Sequence, residues 1–378
     1  MSEHGEETLR EMSDESTLEK KLGVKVTHDV AVKKPKRPMH IAIVGATGVV
    51  GRETLNILHE RKFPIASLRL FASERSAGES VEHQDKQIVV QQLDAESFKG
   101  VDVAFFAASA NVSKIWAPRA AESGAVCIDK SSSFRMDPDV PLVVPEVNGH
   151  AIAGFTKKRI IATPNCSTIQ LVQALAPLHK KAGVERVVVC TYQAVSGAGR
   201  EGIVELEGQV RDMFNMRDAT VTVFDQRIAF NALPRIPAKD AILKDGGTGE
   251  EHKMIEETKK ILEAPGLRVG ATCVRIPVFN GHSEAVHIEL RDPLTAEQAR
   301  ALIAAEPNVL VVDDRERGLY PTAADASGED KTLVGRIRQD ESVPGGRGIA
   351  LWVVSDNLRT GAALNAVRIA EALCADYL

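Results

Sequence analysis

The sequence has no long apolar run and no basic cluster that contains aromatic side chains, and each absence excludes a class of protein. No stretch approaches the roughly 20 apolar residues of a membrane-spanning helix, and the N-terminus lacks the basic-then-apolar order of a signal peptide. No basic cluster is interleaved with aromatic side chains, and the net charge of -5 disfavours a general binder of polyanions. We therefore expect a cytoplasmic protein that binds neither membranes nor nucleic acid.

Cysteine usage is sparse and irregular. The five cysteines are odd in number, widely scattered and without CxxC spacing, so the sequence indicates neither a disulfide framework nor a structural zinc site. We expect reduced thiols and no bound metal. The cysteines are Cys127, Cys166, Cys190, Cys273 and Cys374.

The length of the chain suits two domains. Its 378 residues, 44% of them hydrophobic, can bury a sizeable core, and no internal repeat is evident. Residues 1–38 are charged, begin acidic and end in a run of lysine, arginine and proline. They predict a disordered N-terminal extension, and their many acids disfavour a transit peptide.

From His40 onward the apolar pattern is typical of βαβ units. A first strand leads into a glycine-rich turn, a helix that carries Leu55 and Leu58, and a second strand. This order predicts an α/β fold with a Rossmann-type dinucleotide-binding domain. The predicted strands are 41–44, 68–70, 101–107 and 125–128.

The pattern after Cys166 is more mixed. A helix with one apolar side follows this residue, and a strand is predicted at 187–190. Alternation at 285–290 and a turn at 280–281 favour an α+β domain with an antiparallel or mixed sheet. Small and apolar residues at helical spacing over 360–373 predict a helix that returns to the nucleotide domain.

The glycine-rich turn indicates a dinucleotide site. It follows a strand and precedes a helix, so its glycines allow a tight turn, close approach of the backbone to a pyrophosphate, and close helix packing. The spacing is GxxGxxG rather than the commoner GxGxxG. The predicted cofactor-binding residues of the turn are Gly45, Thr47, Gly48, Val49, Val50 and Gly51.

The end of the second strand favours NADP over NAD. An acidic residue there normally binds the ribose hydroxyl of NAD, whereas Ser73, Arg75 and Ser76 are suited to a 2'-phosphate. The alternative is a polar loop with an incidental arginine and a self-paired Glu74.

Cys166 has the features of a nucleophile. It stands where a helix is predicted to begin, and a thiol there is exposed to the positive end of the helix dipole, which favours the thiolate. A thiolate can hold an acyl group while a nicotinamide moves a hydride on or off the same carbon. The alternative is a buried structural cysteine, which is our interpretation of the other four cysteines.

From His40 to the C-terminus the sequence resembles the bacterial branch of the aspartate-semialdehyde dehydrogenase family. Any one of the shared motifs is modest, but together they are specific. The motifs are IVGATGVVG at 43–51, ASERSAG at 72–78, SSFRMD at 132–137, PNCSTIQ at 164–170, YQAVSGAG at 192–199, EEHKM at 250–254, RIPV at 275–278 with GH at 281–282, and WVVSDNLR at 352–359.

The resemblance implies an activity and a domain plan. The implied reaction is the NADPH-dependent reductive dephosphorylation of 4-phospho-L-aspartate to L-aspartate 4-semialdehyde, a step towards lysine, methionine and threonine. The implied partners are this substrate, inorganic phosphate and further copies of the chain in a homodimer or homotetramer. An NADP-binding domain over 39–165 and 355–378 would be split by a catalytic and dimerisation domain over 166–354.

The resemblance also implies roles for single residues. Cys166 matches the nucleophile and His282 the general acid and base, for which an imidazole is suited near neutral pH; a histidine that merely caps the strand is the alternative. Gln193 matches the residue that orients the acyl group. The implied substrate-binding residues are Arg135 and Lys253 for phosphate, Arg275 for the α-carboxylate, and Glu250 for the amino group. Asn165 is also predicted to bind the substrate, because it could stabilise the oxyanion that forms when Cys166 attacks the acyl group.

The alternative for these charged residues is solvated surface charge, the usual location of arginine, lysine and glutamate. Ser196, Gly197 and Asn357 match positions that contact the nicotinamide half of the cofactor.

Two positions depart from the family pattern, because Lys130 and Thr163 stand where asparagine is usual. Lys130 would add positive charge beside the phosphate site or pair with an acid such as Asp129.

Two other functions fit the same residues less well. A reductase of another acyl phosphate, such as N-acetylglutamyl phosphate, or of an acyl-CoA would use the same thiol and nicotinamide chemistry. The Arg275 and Glu250 motifs favour a free amino acid instead. A non-catalytic paralogue is disfavoured because Cys166, His282 and Gln193 are all retained.

Overall fold

The computed structural model of the chain describes residues 33–83, 86–239 and 242–378. These residues form two compact units. The seven-stranded unit comprises 33–169, 256–265 and 361–378, and the six-stranded unit comprises 170–255 and 266–360. Residues 1–32 of the predicted extension lie outside the described part of the chain. Within the described remainder, Arg37 forms a salt bridge with Asp102 at 2.7 Å.

The first sheet is almost entirely parallel. Its strands are β1 (Met39–Val44), β2 (Ile65–Ala72), β3 (Ser80–His83), β4 (Lys86–Gln92), β5 (Val103–Phe106), β6 (Val126–Asp129) and β7 (Ile160–Ala162). The order is β3-β4-β2-β1-β5-β6-β7, and only β3 pairs antiparallel, with β4. Its central strands are continuous apolar runs because parallel strands are covered on both faces. The four strands predicted in this region are confirmed.

Two of the predicted helices bury their apolar residues. Leu55 and Leu58 on the first helix are buried, which confirms the predicted helix after the glycine turn. The last helix is buried along most of its length, including Leu364, Val367 and Leu373. The helices are α1 (Val49–Glu60), α2 (Ala110–Glu122), α3 (Pro145–Asn148), α4 (Cys166–Ala182), α5 (Arg200–Phe214), α6 (Gly249–Ile261), α7 (Ala296–Ala304), α8 (Ala323–Ala326) and α9 (Leu364–Asp376).

The second sheet is mixed, as predicted. Its strands are β8 (Val184–Gln193), β9 (Arg268–Arg275), β10 (His282–Leu290), β11 (Val309–Val311), β12 (Thr332–Gln339) and β13 (Gly348–Ser355). The order is β11-β12-β13-β10-β8-β9, with β11/β12 and β8/β9 parallel and the other pairs antiparallel. The bend at 280–281 joins β9 to β10, yet these strands are not neighbours because β8 lies between them.

The order of the first sheet creates a switch point. The chain leaves β1 towards β2 on one side, and β5 pairs with β1 on the other side. In such sheets ligands bind outside the carboxyl ends of the strands at this position. The glycine turn follows β1 directly, so the fold exposes it where a dinucleotide is expected.

Among the described residues, none of the helices has the length and hydropathy that a membrane-spanning helix needs.

Candidate active site

The glycine turn is shaped by two close backbone approaches. Gly45 has a φ of 86°, and a Cβ atom there would lie 2.4 Å from the carbonyl oxygen of Ala107, which follows β5. A Cβ atom on Gly51 would lie 2.1 Å from the carbonyl oxygen of Gly45. Real atoms do not approach so closely, so both positions require glycine.

The same turn fits a phosphate group. α1 begins at Val49, and Gly48 before it supplies no side-chain cap to the first-turn N–H groups. These groups and the positive end of the helix dipole attract an anion. The residues from Thr47 to Gly51 therefore form a cradle suited to the pyrophosphate of a dinucleotide.

The predicted 2'-phosphate residues lie after β2, the neighbour of β1. Ser73 precedes a short 3-10 turn that contains Arg75 and Ser76. Ser73 and Arg75 are exposed and Ser76 is half-buried. Since β1 and β2 are parallel, with Val44 opposite Phe71, this turn and the glycine turn lie at the same edge of the sheet.

Cys166 is the first residue of α4 and is half-buried. The Oδ1 atom of Asn165 accepts the backbone N–H of Ser167 at 3.0 Å, and the carbonyl oxygen of Asn165 accepts that of Ile169 at 3.1 Å. Asn165 is therefore the N-cap of α4. The thiol stands at the positive end of the helix dipole, where a thiolate is favoured.

The other cysteines, all in the described part of the chain, have different surroundings. Cys127, Cys273 and Cys374 are buried, and burial raises the pKa of each thiol, for Cys374 to about 12. Cys190 is half-buried within β8. Of the five, Cys166 alone begins a helix.

Gly361 lies against Cys166 within the seven-stranded unit. A Cβ atom on Gly361 would lie 2.9 Å from the Cβ atom of Cys166 and 3.3 Å from its Cα atom. Any larger residue would have to displace the start of α4. The glycine therefore allows the segment before α9 to pack directly beside Cys166.

Arg135 is held by a buried carboxylate. Its Nη1 atom donates to Oε1 of Glu257 at 2.9 Å, and its Nη2 atom donates to the carbonyl oxygen of Lys130 at 2.6 Å. The Oε2 atom of Glu257 accepts the backbone N–H of Asn165 at 2.6 Å. One carboxylate thus binds both Arg135 and the residue that precedes Cys166.

Gln193, Glu250 and Lys253 form a hydrogen-bonded row in the six-stranded unit. Gln193 Nε2 donates to Oε1 of Glu250 at 3.0 Å, and Lys253 Nζ donates to Oε2 at 3.1 Å. The Thr191 hydroxyl donates to Oε1 of Gln193 at 3.0 Å, which fixes the orientation of the amide. Gln193 is 1% exposed and Glu250 is 4% exposed, so their interactions are little weakened by water.

Arg275 and His282 bind the carbonyl oxygen and the N–H of Ala194, respectively. Arg275 Nη1 donates to the carbonyl oxygen of Ala194 at 2.5 Å, and the Ala194 N–H donates to His282 Nδ1 at 3.1 Å. Because Nδ1 accepts a hydrogen bond, the neutral ring carries its proton on Nε2. A Cβ atom on Gly197 would lie 2.7 Å from Arg275 Nη1 and 3.3 Å from His282 Nε2, so both side chains converge on this glycine.

Ser196 and Asn357 bind each other in the same unit. Asn357 Nδ2 donates to Ser196 Oγ at 2.9 Å, and Asn357 Oδ1 accepts the backbone N–H of Gly281 at 2.9 Å. Gly281 directly precedes His282. This arrangement fixes the Ser196 loop beside the start of β10.

Two family models match the chain. Residues 40–155 match the model described as semialdehyde dehydrogenase, NAD binding domain, and residues 175–360 match semialdehyde dehydrogenase, dimerisation domain. Aspartate-semialdehyde dehydrogenase of Aquifex aeolicus is 50% identical over 340 residues, which cover 89% of this chain and 98% of that protein. The chain belongs to the aspartate-semialdehyde dehydrogenase family.

Solved structures of the aspartate-semialdehyde dehydrogenase family have the same fold. The Vibrio cholerae enzyme II complexed with ASA has a TM-score of 0.86 and 47% identity, covering 91% of this chain and 100% of that chain. The Candida albicans enzyme with NADP has a TM-score of 0.69 and 27% identity, covering 89% and 99%. The NAD binding domain match and the relative solved with NADP support a nicotinamide dinucleotide as cofactor.

The predicted site residues of this family member fall into two groups. One group lies in the seven-stranded unit, and the other lies in the six-stranded unit. No group of metal-ligating side chains occurs among the described residues. The first group is the glycine turn, Ser73, Arg75, Ser76, Arg135, Asn165 and Cys166, and the second is Gln193, Ser196, Gly197, Glu250, Lys253, Arg275, His282 and Asn357.

The two departures from the family pattern both adjoin Asp129, which Lys130 follows in the chain and to which Thr163 forms a backbone hydrogen bond. The carboxylate of Asp129 accepts the hydroxyl of Ser131 at 2.7 Å and its backbone N–H at 3.1 Å. The backbone N–H of Thr163 donates to the carbonyl oxygen of Asp129 at 2.8 Å. Thr163 is fully buried, and its hydroxyl has no hydrogen-bond partner among the described residues.

Sequence reasoning missed Glu257, Gly361 and Glu284. Glu257 follows Lys253 by one helical turn on α6, and this spacing on the face of a predicted binding residue was an available signal. Gly361 lies in an apolar segment where a close approach leaves no sequence signal. Glu284 is two residues after His282 on β10, so both side chains face the same side of the sheet.

Glu284 is a fully buried carboxyl group that titrates abnormally. Its exposed fraction is 0%, neither carboxyl oxygen has a hydrogen-bond partner among the described residues, and burial raises its pKa well above the usual value near 4.5. In the unfolded chain the group ionises near its usual value. Its contribution to stability is therefore fully present below about pH 4.5 and is lost as the pH rises towards the folded pKa.

Glu284→Gln should remove this pH dependence. We expect the free energy of unfolding of the variant, relative to the natural chain, to increase above about pH 4.5, by at most about 1.4 kcal/mol per pH unit. Urea denaturation at several pH values measures this difference. A difference that stays constant between about pH 5 and pH 8 would contradict a neutral Glu284 in the folded protein.

Proposed function

We propose that the protein catalyses the reversible, NADPH-dependent reductive dephosphorylation of 4-phospho-L-aspartate to L-aspartate 4-semialdehyde. The observation that carries the proposal is the position of Cys166, a half-buried thiol that begins a helix capped by Asn165. Acyl transfer needs a thiolate, and this position favours one. The aspartate-semialdehyde dehydrogenase relatives, including the one complexed with ASA, support the same substrate.

The proposed reaction has two stages. The Cys166 thiolate attacks the acyl carbon of 4-phospho-L-aspartate, the carbon–oxygen bond to phosphate breaks, and a thioester and inorganic phosphate result. When bound, NADPH supplies the hydride that reduces the thioester carbonyl. The carbon–sulfur bond then breaks, which releases the aldehyde and returns the Cys166 thiolate. The net reaction consumes one proton.

Charged residues would recognise the two ends of the substrate. The planar fork of Arg275 suits the α-carboxylate because it can make two parallel hydrogen bonds, and Glu250 suits the amino group. Arg135 and Lys253 provide positive charge for the phosphate. Gln193, whose amide is oriented by Thr191 and Glu250, would position the acyl group.

His282 would manage the proton. Since its Nδ1 atom accepts the Ala194 N–H, the ring begins with its proton on Nε2, the ring atom nearest the Gly197 position. This tautomer donates a hydrogen bond to an oxygen that gains negative charge during the reaction. The same nitrogen would take the proton back in the reverse direction.

NADP is proposed as the cofactor in preference to NAD. The cradle from Gly45 to Gly51 fits either dinucleotide, because both carry a pyrophosphate. Arg75 is exposed on the turn after β2, where a 2'-phosphate is expected. The Candida albicans relative solved with NADP supports this choice.

Arg75→Ala tests the cofactor preference. We expect the KM for NADP to rise about tenfold, near the lower end of what a hydrogen bond to a charged group contributes, because the side chain is exposed. The KM for NAD should stay unchanged, because NAD lacks the 2'-phosphate. Steady-state rates with each cofactor measure both values. An equal rise for NAD and NADP would contradict a role for Arg75 in binding the 2'-phosphate.

Different parts of the chain would bind the cofactor and carry out catalysis. The segments 39–165 and 355–378 would bind NADP, and 166–354 would carry catalysis and dimerisation. The match to a dimerisation domain supports a homodimer or homotetramer. The reaction would occur in the cytoplasm and supply the semialdehyde for lysine, methionine and threonine synthesis.

The direct test measures NADPH formation from L-aspartate semialdehyde, NADP and inorganic phosphate. We expect reduction that requires phosphate, because phosphate releases the acyl group from Cys166. N-acetylglutamate semialdehyde serves as the comparison substrate. Reduction with that substrate but not with aspartate semialdehyde would overturn the proposal in favour of another acyl donor.

A further inference from the structure

Glu257 connects two residues of the proposed site that are far apart in the chain. Its side chain is 1% exposed, and each carboxylate oxygen accepts one hydrogen bond. Oε1 binds the Arg135 guanidinium, 122 residues away, and Oε2 binds the backbone N–H of Asn165, 92 residues away. All three residues belong to the seven-stranded unit.

Only a carboxylate of this length satisfies both donors. A glutamine has one acceptor oxygen, so its NH2 group would face a donor at either Arg135 or Asn165. An aspartate keeps two acceptors but is shorter by one methylene group, so it cannot reach both partners from the same helical position. The natural glutamate is thus required by geometry and by acceptor count.

Further hydrogen bonds hold Arg135 and its loop in place. The Arg135 guanidinium is bound on its other side by the Lys130 carbonyl oxygen. The ammonium group of Lys260, one turn after Glu257 on α6, donates to the carbonyl oxygens of Arg135, Asp137 and Val140 at 2.7, 2.9 and 3.0 Å. The Arg135 loop therefore has few alternative positions.

We propose that Glu257 is a positioning residue that aligns the phosphate-binding arginine with the nucleophile. It orients the Arg135 fork through one oxygen. Through the other oxygen it fixes Asn165, the N-cap that starts the helix of Cys166. This inference rests on the proposed function, since it takes Arg135 as a ligand of the substrate phosphate and Cys166 as the nucleophile.

The test compares Glu257→Gln and Glu257→Asp with Glu256→Gln. Glu256 is the neighbouring glutamate on α6, and its carboxylate is 48% exposed beside Lys259. In the phosphate-dependent oxidation of aspartate semialdehyde, we expect both Glu257 variants to raise the KM for phosphate by about 10- to 100-fold, the scale of a misplacement near 1 Å. The KM values for NADP and aspartate semialdehyde should change little, and Glu256→Gln should match the natural chain.

A second measurement does not depend on the substrate. The rate at which iodoacetamide alkylates Cys166 is followed against pH, with the modified residue identified by mass spectrometry. Displacement of Asn165 should shift this pH profile in the Glu257 variants and leave it unchanged in Glu256→Gln. A merely structural glutamate would lower the amount of folded protein without moving the profile of the folded fraction.

The outcomes separate this proposal from the proposed function. If the natural chain shows no phosphate-dependent oxidation of aspartate semialdehyde, the proposed function fails. If it does, and both folded Glu257 variants keep the natural KM for phosphate and the natural alkylation profile, the positioning role is overturned. Loss of folding in both variants would also overturn it, because Glu257 would then be structural.

Discussion

Cys166→Ala should abolish NADP reduction while the protein still folds and binds NADP. The thiol sulfur is the proposed attacking atom, and alanine cannot form a thioester, so no alternative covalent route remains. Loss of a nucleophile that acts in concert with neighbouring groups lowers the rate by at least about 10⁴-fold. Alanine is compatible with the first turn of α4 because Asn165 supplies the cap through its own side chain and backbone.

The matched control is Cys190→Ala, which removes the other half-buried thiol. It should keep the natural rate, because Cys190 lies within β8 and does not begin a helix. NADP binding is followed by fluorescence or calorimetry in both variants. Continued oxidation of aspartate semialdehyde by Cys166→Ala would refute the covalent mechanism, provided that mass spectrometry shows no natural protein in the sample.

Arg275→Lys should raise the KM for aspartate semialdehyde on the order of 100-fold, the effect of losing one hydrogen bond between charged groups. The natural guanidinium can bind the Ala194 carbonyl oxygen with Nη1 and still present its other N–H groups to a carboxylate. Lysine keeps the charge but has a single nitrogen on a flexible stem. The KM values for phosphate and NADP should stay close to the natural values, because other residues bind those ligands in the proposal.

Arg268→Lys is the control for this effect. Arg268 begins the same strand, β9, and its side chain is 61% exposed, so a lysine there should leave all kinetic constants unchanged. Steady-state kinetics with each substrate varied in turn distinguishes the cases. If Arg275→Lys lowered kcat equally at all substrate concentrations without raising this KM, Arg275 would not be the carboxylate ligand.

The sequence predicted those features that depend on neighbouring residues. The glycine turn was recognisable because backbone crowding at Gly45 and Gly51 admits no Cβ atom. The start of α4 was recognisable because a helical pattern with one apolar side follows Cys166. The mixed second sheet was recognisable from the alternation at 285–290. The order of its strands was not recognisable from the sequence, because β8 lies between β9 and β10.

The family motifs predicted site residues that hydrophobic periodicity could not identify. Residue type alone would place Glu250 and Lys253 on the surface, since glutamate and lysine are usually exposed. The structure buries Glu250 and binds its carboxylate to Gln193 and Lys253. Their roles as ligands of the substrate remain predictions that the kinetic tests address.

What the sequence determined by itself was the set of local structures: the glycine turn, the start of α4, and the strands and helices with clear periodicity. These follow from sterics and hydrogen bonds between residues close in the chain. Only the tertiary structure decided which distant groups meet, such as Glu257 with Arg135 and Asn165, or the Ala194 N–H with His282. The physical reason is that a buried polar group costs free energy when it has no partner, but its residue type does not specify which partner the fold will bring to it.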